Sequence, residues 1–246
     1  MEQLRRMIDR RRSVRSYLPD ALPEDMLTAL RRRMDRLTPL FPDAPVTGMI
    51  IPTAAANFLQ KWKTPHFIAI FSDGSEEGLM NVGFMYQQLD LYLQAQGLGS
   101  CWVGLGSLKD SGIVPEGMKL AVMMAVGRPD KAPERQGAQD FNRRTMADIA
   151  DQPDDRLEPL RLAPSATNSQ PWYITHAGVT HEGDTLHIWR EALGRIKQRT
   201  HGRMNLIDTG IALAHLYVSH PDTFRFTREE APPALDGYVY MGSVTL

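Results

Sequence analysis

A single cysteine, Cys101, stands in the 246 residues. One thiol excludes an internal disulfide and any zinc or iron-sulfur centre built on several cysteines, and it suits a reducing compartment, so the expected location is the cytoplasm. Charge of one sign is not in excess either, since 28 lysines and arginines face 29 aspartates and glutamates for a net charge of -1. Nothing in that balance draws the chain to nucleic acid or to an acidic membrane. Long apolar runs are missing too. The nearest, residues 79–98, is broken by Asn81, Gln87, Gln88, Asp90, Gln94 and Gln96, too many polar groups for a bilayer. The arginine-rich N-terminus carries Glu2 and Asp9 and has no apolar core of a signal peptide, so it is expected to stay in the mature protein. Of seven histidines, six fall in the second half, none paired at the helical spacing of a zinc motif with an acidic partner, and no metal site is expected.

What is present reads as alternating helices and strands. Residues 2–12 read as a short helix, and residues 23–36 as a second, with Met26, Leu27, Leu30 and Met34 on one face. Residues 38–53 are proline-rich loop with one short strand near 49–51, and residues 54–62 suggest a helical turn. HFIAIF at 66–71 is a strand of a covered sheet. Residues 75–97 form the longest helix candidate, capped by Ser75 and apolar on more than one face, as for a helix buried on several sides. A second buried strand is expected at 118–126. Residues 131–155, with prolines at 133 and 153, read as a crossing segment, which sets a boundary between halves near residue 150. After it come a helix, a hairpin of strands 172–176 and 185–189 around a turn at 181–184, an apolar helix at 205–219, and short strands at 223–228 and 237–241. The halves echo one another loosely as strand, broad helix, strand.

Three stretches carry chemistry. RRSVRSY at 11–17 places several guanidinium groups beside a hydroxyl, equipment for a phosphate and an adjoining sugar chain, and equally an ordinary solvated face. GLGSCWVGLG at 97–106 lets backbone approach a ligand closely. It is not a dinucleotide fingerprint, because Trp102 stands where the third glycine belongs and the stretch follows a helix rather than a strand. APSATNSQPW at 163–172 is a run of turn formers and hydrogen-bonding side chains, either a loop for a flat polar ligand or a plain helix-to-strand connection.

Together these stretches, with AVGRP at 125–129, resemble the FMN-dependent nitroreductase family, and most nearly its tandem-half subgroup. Members of that family ordinarily carry the arginine-serine motif, then APSxxNxQPW, then the glycine passage, then a basic tail in one protomer, two protomers clasping two flavins. Here PLFPDAPVTGMII occupies the place of the APSxxNxQPW loop in the first half, and the loop itself follows the motifs it normally sits between. The resemblance therefore implies an α+β, nitroreductase-like three-layer fold in which two degenerate halves, 1–150 and 151–246, pack as an intramolecular pseudo-dimer. It implies one composite FMN site and a decayed second one, and a fused dimer of this kind can be a monomer. Carried over by position, Arg11, Arg12 and Ser13 would hold the phosphate and ribityl end, and Arg15 the pyrimidine edge of the ring. Trp102, Val103, Gly104 and Leu105 would lie over the ring, Gly104 replacing a glutamate of some members. Arg143 and Arg144 would close on the phosphate, and Pro164, Ser165, Ala166 and Asn168 would line the ring from the other half. Lys61 and Lys63 are further ring-contact candidates. The implied reaction is ping-pong: NAD(P)H reduces the flavin and leaves, and a nitroaromatic or quinone-type acceptor replaces it, with no catalytic side chain required. The alternative is a pseudo-enzyme, flavin-binding or flavin-free, with a structural role.

Overall fold

The computed structural model describes residues 1–131, 135–180 and 183–246. In chain order these form α1 (Glu2–Arg5), α2 (Glu24–Met34), β1 (Val46–Pro52), β2 (Ala56–Phe58), β3 (His66–Ser72), α3 (Glu76–Ala95), β4 (Gly99–Val103), β5 (Gly106–Leu108) and β6 (Lys119–Gly127). Then follow α4 (Met146–Ile149), α5 (Glu158–Arg161), β7 (Trp172–Thr180), β8 (Gly183–Glu191), α6 (Arg195–Ser219), β9 (Arg225–Thr227) and β10 (Tyr238–Thr245). The expected turn at 181–184 falls partly on residues outside those described, as does Pro133.

Two antiparallel four-stranded sheets result, ordered β1-β3-β6-β4 and β7-β8-β10-β9. Each sheet thus runs first strand, second, fourth, third, and in each the long helix follows the second strand. In β3, side chains alternate between two apolar layers: Ile68 and Ile70 face the helices, Phe67, Ala69 and Phe71 the outer side. Ile174, Leu186 and Ile188 of the other sheet join the first of these cores, together with α3 and α6. At ~1.5–3 kcal/mol for each large apolar side chain fully buried, this shared layer is the main stabilising term.

α3 starts where Ser75 Oγ accepts the Gly78 amide at 2.9 Å, and ends at Gly97 with φ 71°, where the Leu98 amide reaches back to Leu93 O at 2.9 Å. The α3–α6 crossing is close because each helix offers a glycine to the other. A Cβ on Gly83 would overlap Ile207 O and stand 2.8 Å from Ile211 N, and a Cβ on Gly210 would overlap Met80 O and stand 2.9 Å from Phe84 N. These contacts are reciprocal, three residues before and one after each glycine. Two residues earlier on each helix, a polar side chain holds a loop. Asn81 Oδ1 accepts the amides of Leu40 and Phe41 at 2.8 and 2.9 Å, and Asp208 Oδ1 accepts the Ala166 amide at 2.9 Å. Leu40 and Ala166 each lie six residues before the first strand of their own sheet.

Several expectations are corrected. Residues 54–62 hold no helical turn beyond 3-10 Thr53–Ala55; β2 pairs with β5, and Phe58 packs on Phe67 and Trp62 with centroids 5.2 and 4.6 Å apart, closing the outer face of the first sheet. α6 begins ten residues earlier than expected, since its first turns are exposed and polar and give no apolar period to read. Only Glu2–Arg5 of residues 2–12 is α-helical, and the strand expected at 223–228 is limited to Arg225–Thr227.

Candidate functional site

Residues 11–17 run along the edge of the first sheet. Ser13 bridges Ser100 in parallel, and the Val14 amide donates to Ser100 O at 2.9 Å, which sets the arginine-serine motif beside the glycine passage. Arg11 is buried, its Nε 2.7 Å from Asp90 Oδ2 and its Nη2 donating to Ser13 Oγ at 3.1 Å. Arg12 and Arg15 are exposed. Trp102 Nε1 donates to Gln87 Oε1 at 3.1 Å; Val103 is buried, Gly104 exposed, and Leu105 74% exposed. A side chain at Gly104 would meet Met204 Sδ of α6 at 3.5 Å, so the glycine passage stands against the second half.

On the other side, residues 163–172 form a loop in left-handed backbone. Thr167, Asn168 and Gln170 have φ of 52°, 59° and 49°, the only positive values outside glycine among the described residues. Such conformations cost ~1–3 kcal/mol each and persist only where surroundings fix them. Ser165 Oγ accepts the Gln170 amide at 2.8 Å, and Asp208 holds the Ala166 amide. Arg143 clamps the loop from the crossing segment: Nε donates to Ala163 O at 3.0 Å, Nη1 to Asn168 Oδ1 at 2.7 Å. Pro164 is buried. Arg144 reaches the same loop through its amide, which donates to Gln170 Oε1 at 2.8 Å, while its side chain turns to Glu191, Nη1 pairing with Oε1 at 2.6 Å.

A cluster of cations joins the two sides. Arg135, which the sequence reading passed over, donates from Nη1 to Arg11 O at 2.6 Å and lies over the Phe141 ring at 3.8 Å. Burial and the charges of Arg11 and Arg12 lower Arg135 to a pKa of about 10. Burial and the charges of Arg11, Arg135 and Arg161 lower Arg143 equally, to about 10. Arg11 and Arg161 have carboxylates, Asp90 and Glu158. Arg135 and Arg143 have no such ion pair among the described residues. Asp140 lends Arg135 a lesser opposing charge, and the excess of positive charge held partly out of water invites an anion.

Beneath the cluster runs a buried polar chain. Gln87 Nε2 donates to Asp90 Oδ2 at 3.0 Å and to His215 Nε2 at 3.1 Å, while His215 Nδ1 donates to Pro159 O at 2.8 Å. Burial, against the Pro159 bond, drops His215 to about 3, so its ring is neutral. Ser100 Oγ also bonds Asp90. The signal for these residues was visible as the polar interruptions of an otherwise apolar helix. A separate cavity of about 350 Å³, lined by Met1, Arg5, Ser219 and His220 among others, lies apart from this site.

The fold and its site define an α+β protein with two four-stranded sheets, in which arginines of the N-terminal segment and of the crossing segment gather beside a strained polar loop at residues 163–172. The chain belongs to the family described as "Putative TM nitroreductase", whose model matches residues 3–220. It is similar in structure to a "putative nitroreductase" of Thermotoga maritima MSB8, with TM-score 0.64 and 19% identity over 98% of this chain and 91% of that one. That likeness establishes the nitroreductase fold. A nitroreductase with bound FMN from Desulfitobacterium hafniense DCB-2 aligns with 59% of this chain and 99% of its own, at 12% identity and TM-score 0.44. No curated protein sequence matches the chain. No described helix is long and apolar enough to cross a membrane.

Proposed function

We propose that this protein is an FMN-dependent oxidoreductase that uses NAD(P)H to reduce nitroaromatic or quinone-type acceptors by alternating occupancy of one flavin site, in the cytoplasm. The observation that carries the reading is the pair of guanidinium groups, Arg135 and Arg143, that form no ion pair among the described residues and gather beside the arginine-serine motif. A phosphate monoester with a charge near -2 matches them, and the residues present fit FMN. Arg12, Ser13, Arg135 and Arg143 would hold the phosphate and ribityl end. Arg15, Trp102 to Leu105, and Ser165, Ala166 and Asn168 would bound the ring. Arg11 acts at one remove, its charge matched by Asp90 and its Nη2 orienting Ser13.

When bound, FMN would supply the hydride chemistry, which explains a site without a nucleophile or paired carboxylates. The chain's own part is orientation and electrostatics. Exposed Arg15 offers a cation to the pyrimidine edge, and at exposed Gly104 the backbone, without a side chain, can approach the ring closely.

Two halves meeting near residue 150 account for the composite character. The same strand order in both sheets, the reciprocal glycines Gly83 and Gly210, and the matched loop-holding residues Asn81 and Asp208 support a pseudo-two-fold between residues 1–150 and 151–246. Purified protein is expected to be yellow, to quench FMN fluorescence on titration, and to oxidise NAD(P)H faster when a quinone is added. A colourless protein that leaves FMN fluorescence unchanged would establish the pseudo-enzyme reading instead.

A further inference from the structure

The loop at residues 163–172 carries the three left-handed non-glycine residues of the described chain, and a flexible connection would relax them. What opposes relaxation is a carboxyl group from another element. Asp208, 3% exposed in the middle of α6, accepts the Ala166 amide at 2.9 Å through Oδ1. Its other oxygen, Oδ2, faces the Ser169 hydroxyl, both atoms buried, without closing a regular hydrogen bond. At the matching place on α3, Asn81 makes four bonds to its loop. Its Oδ1 accepts the Leu40 and Phe41 amides, and its Nδ2 donates to Phe41 O at 2.7 Å and Ala44 O at 2.9 Å. The second half thus has a carboxyl oxygen where the first half has a donor.

We propose that Asp208 is the positioning residue of the flavin-facing loop, and that it works as a neutral carboxylic acid, Oδ1 accepting from Ala166 while a proton on Oδ2 is directed at Ser169. This deepens the FMN reading above and rests on it. Burial raises the Asp208 pKa to about 7, and only the Ala166 amide and the Ser169 hydroxyl pull it back. No charged side chain contributes. On α3, the residues against Gly210, two positions along α6, are the uncharged Met80 and Phe84, and on the loop side Arg143 bonds Asn168 Oδ1 at 2.7 Å. Loss of the proton would leave a buried charge facing only the Ala166 amide and the Ser169 hydroxyl, with no cation beside it, and would destabilise the packed loop. The loop's competence for flavin therefore follows protonation of Asp208.

The test uses the full-length protein, with FMN affinity read by fluorescence quenching from pH 5.5 to 8.5 for wild type, Asp208→Asn and Asp208→Ala. Asparagine copies the neutral acid, with an acceptor and a donor. At pH 6 Asp208→Asn is expected to bind FMN as wild type does. At pH 8, where about one wild-type molecule in eleven keeps the proton, it is expected to bind about tenfold tighter. The affinity ratio of the two cancels ionisation of the FMN phosphate itself. Asp208→Ala should bind at least tenfold more weakly at pH 6. A ratio that stays constant across the pH range overturns the neutral-acid role. Hydrogen exchange at the Ala166 and Gln170 amides of the flavin-free protein decides the positioning role whatever the ligand. Protection in wild type and Asp208→Asn, lost in Asp208→Ala while α3 amides remain protected, supports it, and equal protection in all three overturns it. If no form binds FMN, the proposed function fails while the exchange result still judges Asp208.

Discussion

At the scale of single residues, the site depends on side chains whose neighbours come from distant sequence. Arg143 is the sharpest case, since one guanidinium bonds Ala163 O and Asn168 Oδ1 and forms no ion pair among the described residues. Arg143→Ala is expected to weaken FMN binding by ~tenfold or more in a fluorescence titration, and Arg143→Lys to recover little of it, because a point charge cannot reproduce the planar fork. Two buried groups give opposite pH dependences. His215, lowered to about 3 by burial, stays neutral in the fold while the unfolded chain gains its proton below about pH 6.5, so this group disfavours folding as pH falls. Asp208, raised to about 7, stays protonated in the fold while the unfolded chain loses its proton above about pH 4, so this group disfavours folding as pH rises. Between pH 4 and 6.5 the two contributions cancel. Urea unfolding across that window should show stability rising with pH in Asp208→Asn and falling with pH in His215→Gln, each by about 1.4 kcal/mol per pH unit relative to wild type. Equal slopes in the two variants would refute the assignment of these protonation states. Arg12, Ser13, Arg15 and residues 102–105 are proposed for the site on the family resemblance of their motifs. Gln87 and Asp90 showed only as polar interruptions of an apolar helix, and Arg135 and Asp208 gave no local signal, because a charged side chain looks alike in sequence whether it faces solvent or a buried partner.

Elements owe their placement to packing as much as to their own sequence. The α3 limits were readable because Ser75, the paired glutamates and Gly97 are local end signals. The beginning of α6 was not readable, since residues 195–204 are mostly polar, include the weak helix formers Thr200, His201 and Gly202, and show no apolar period. β2 and β5 were unreadable for a different reason. Three-residue strands hold no pattern, and they exist because Phe58 caps the outer face of the first sheet. The α3–α6 crossing yields a test with an inverted sign. Glycine to alanine in a helix interior ordinarily stabilises by up to about 1 kcal/mol. Gly83→Ala is expected instead to destabilise by about 2–4 kcal/mol in denaturant unfolding, because its Cβ would overlap the Ile207 carbonyl. A neutral or stabilising result would mean that the helices stand further apart than this.

Across the whole molecule, the proposed pseudo-two-fold raises the question of a second site. The loop matching residues 163–172 is 37–46, and there Phe41 packs edge-on to Phe226 at 5.4 Å beneath Arg228 at 4.9 Å. Arg228 is itself paired with Glu76 at 2.8 Å and donates to Met241 O at 3.2 Å. That corner is packed with the chain's own rings and a neutralised cation. Flavin titration is therefore expected to saturate at one FMN per chain, and saturation near two would contradict the single composite site. The sequence by itself determined the two buried first-sheet strands, the central helix, the hairpin and the three motif stretches, because periodicity, caps and turn residues act over a few positions. It could also show that the motifs stand in an unusual order. Only the tertiary structure decided which cations keep a carboxylate, which backbone is left-handed, and which helix residues reach a loop from another element. Those properties depend on what burial removes from water and on which group lies opposite, and neither is written in any local run of residues.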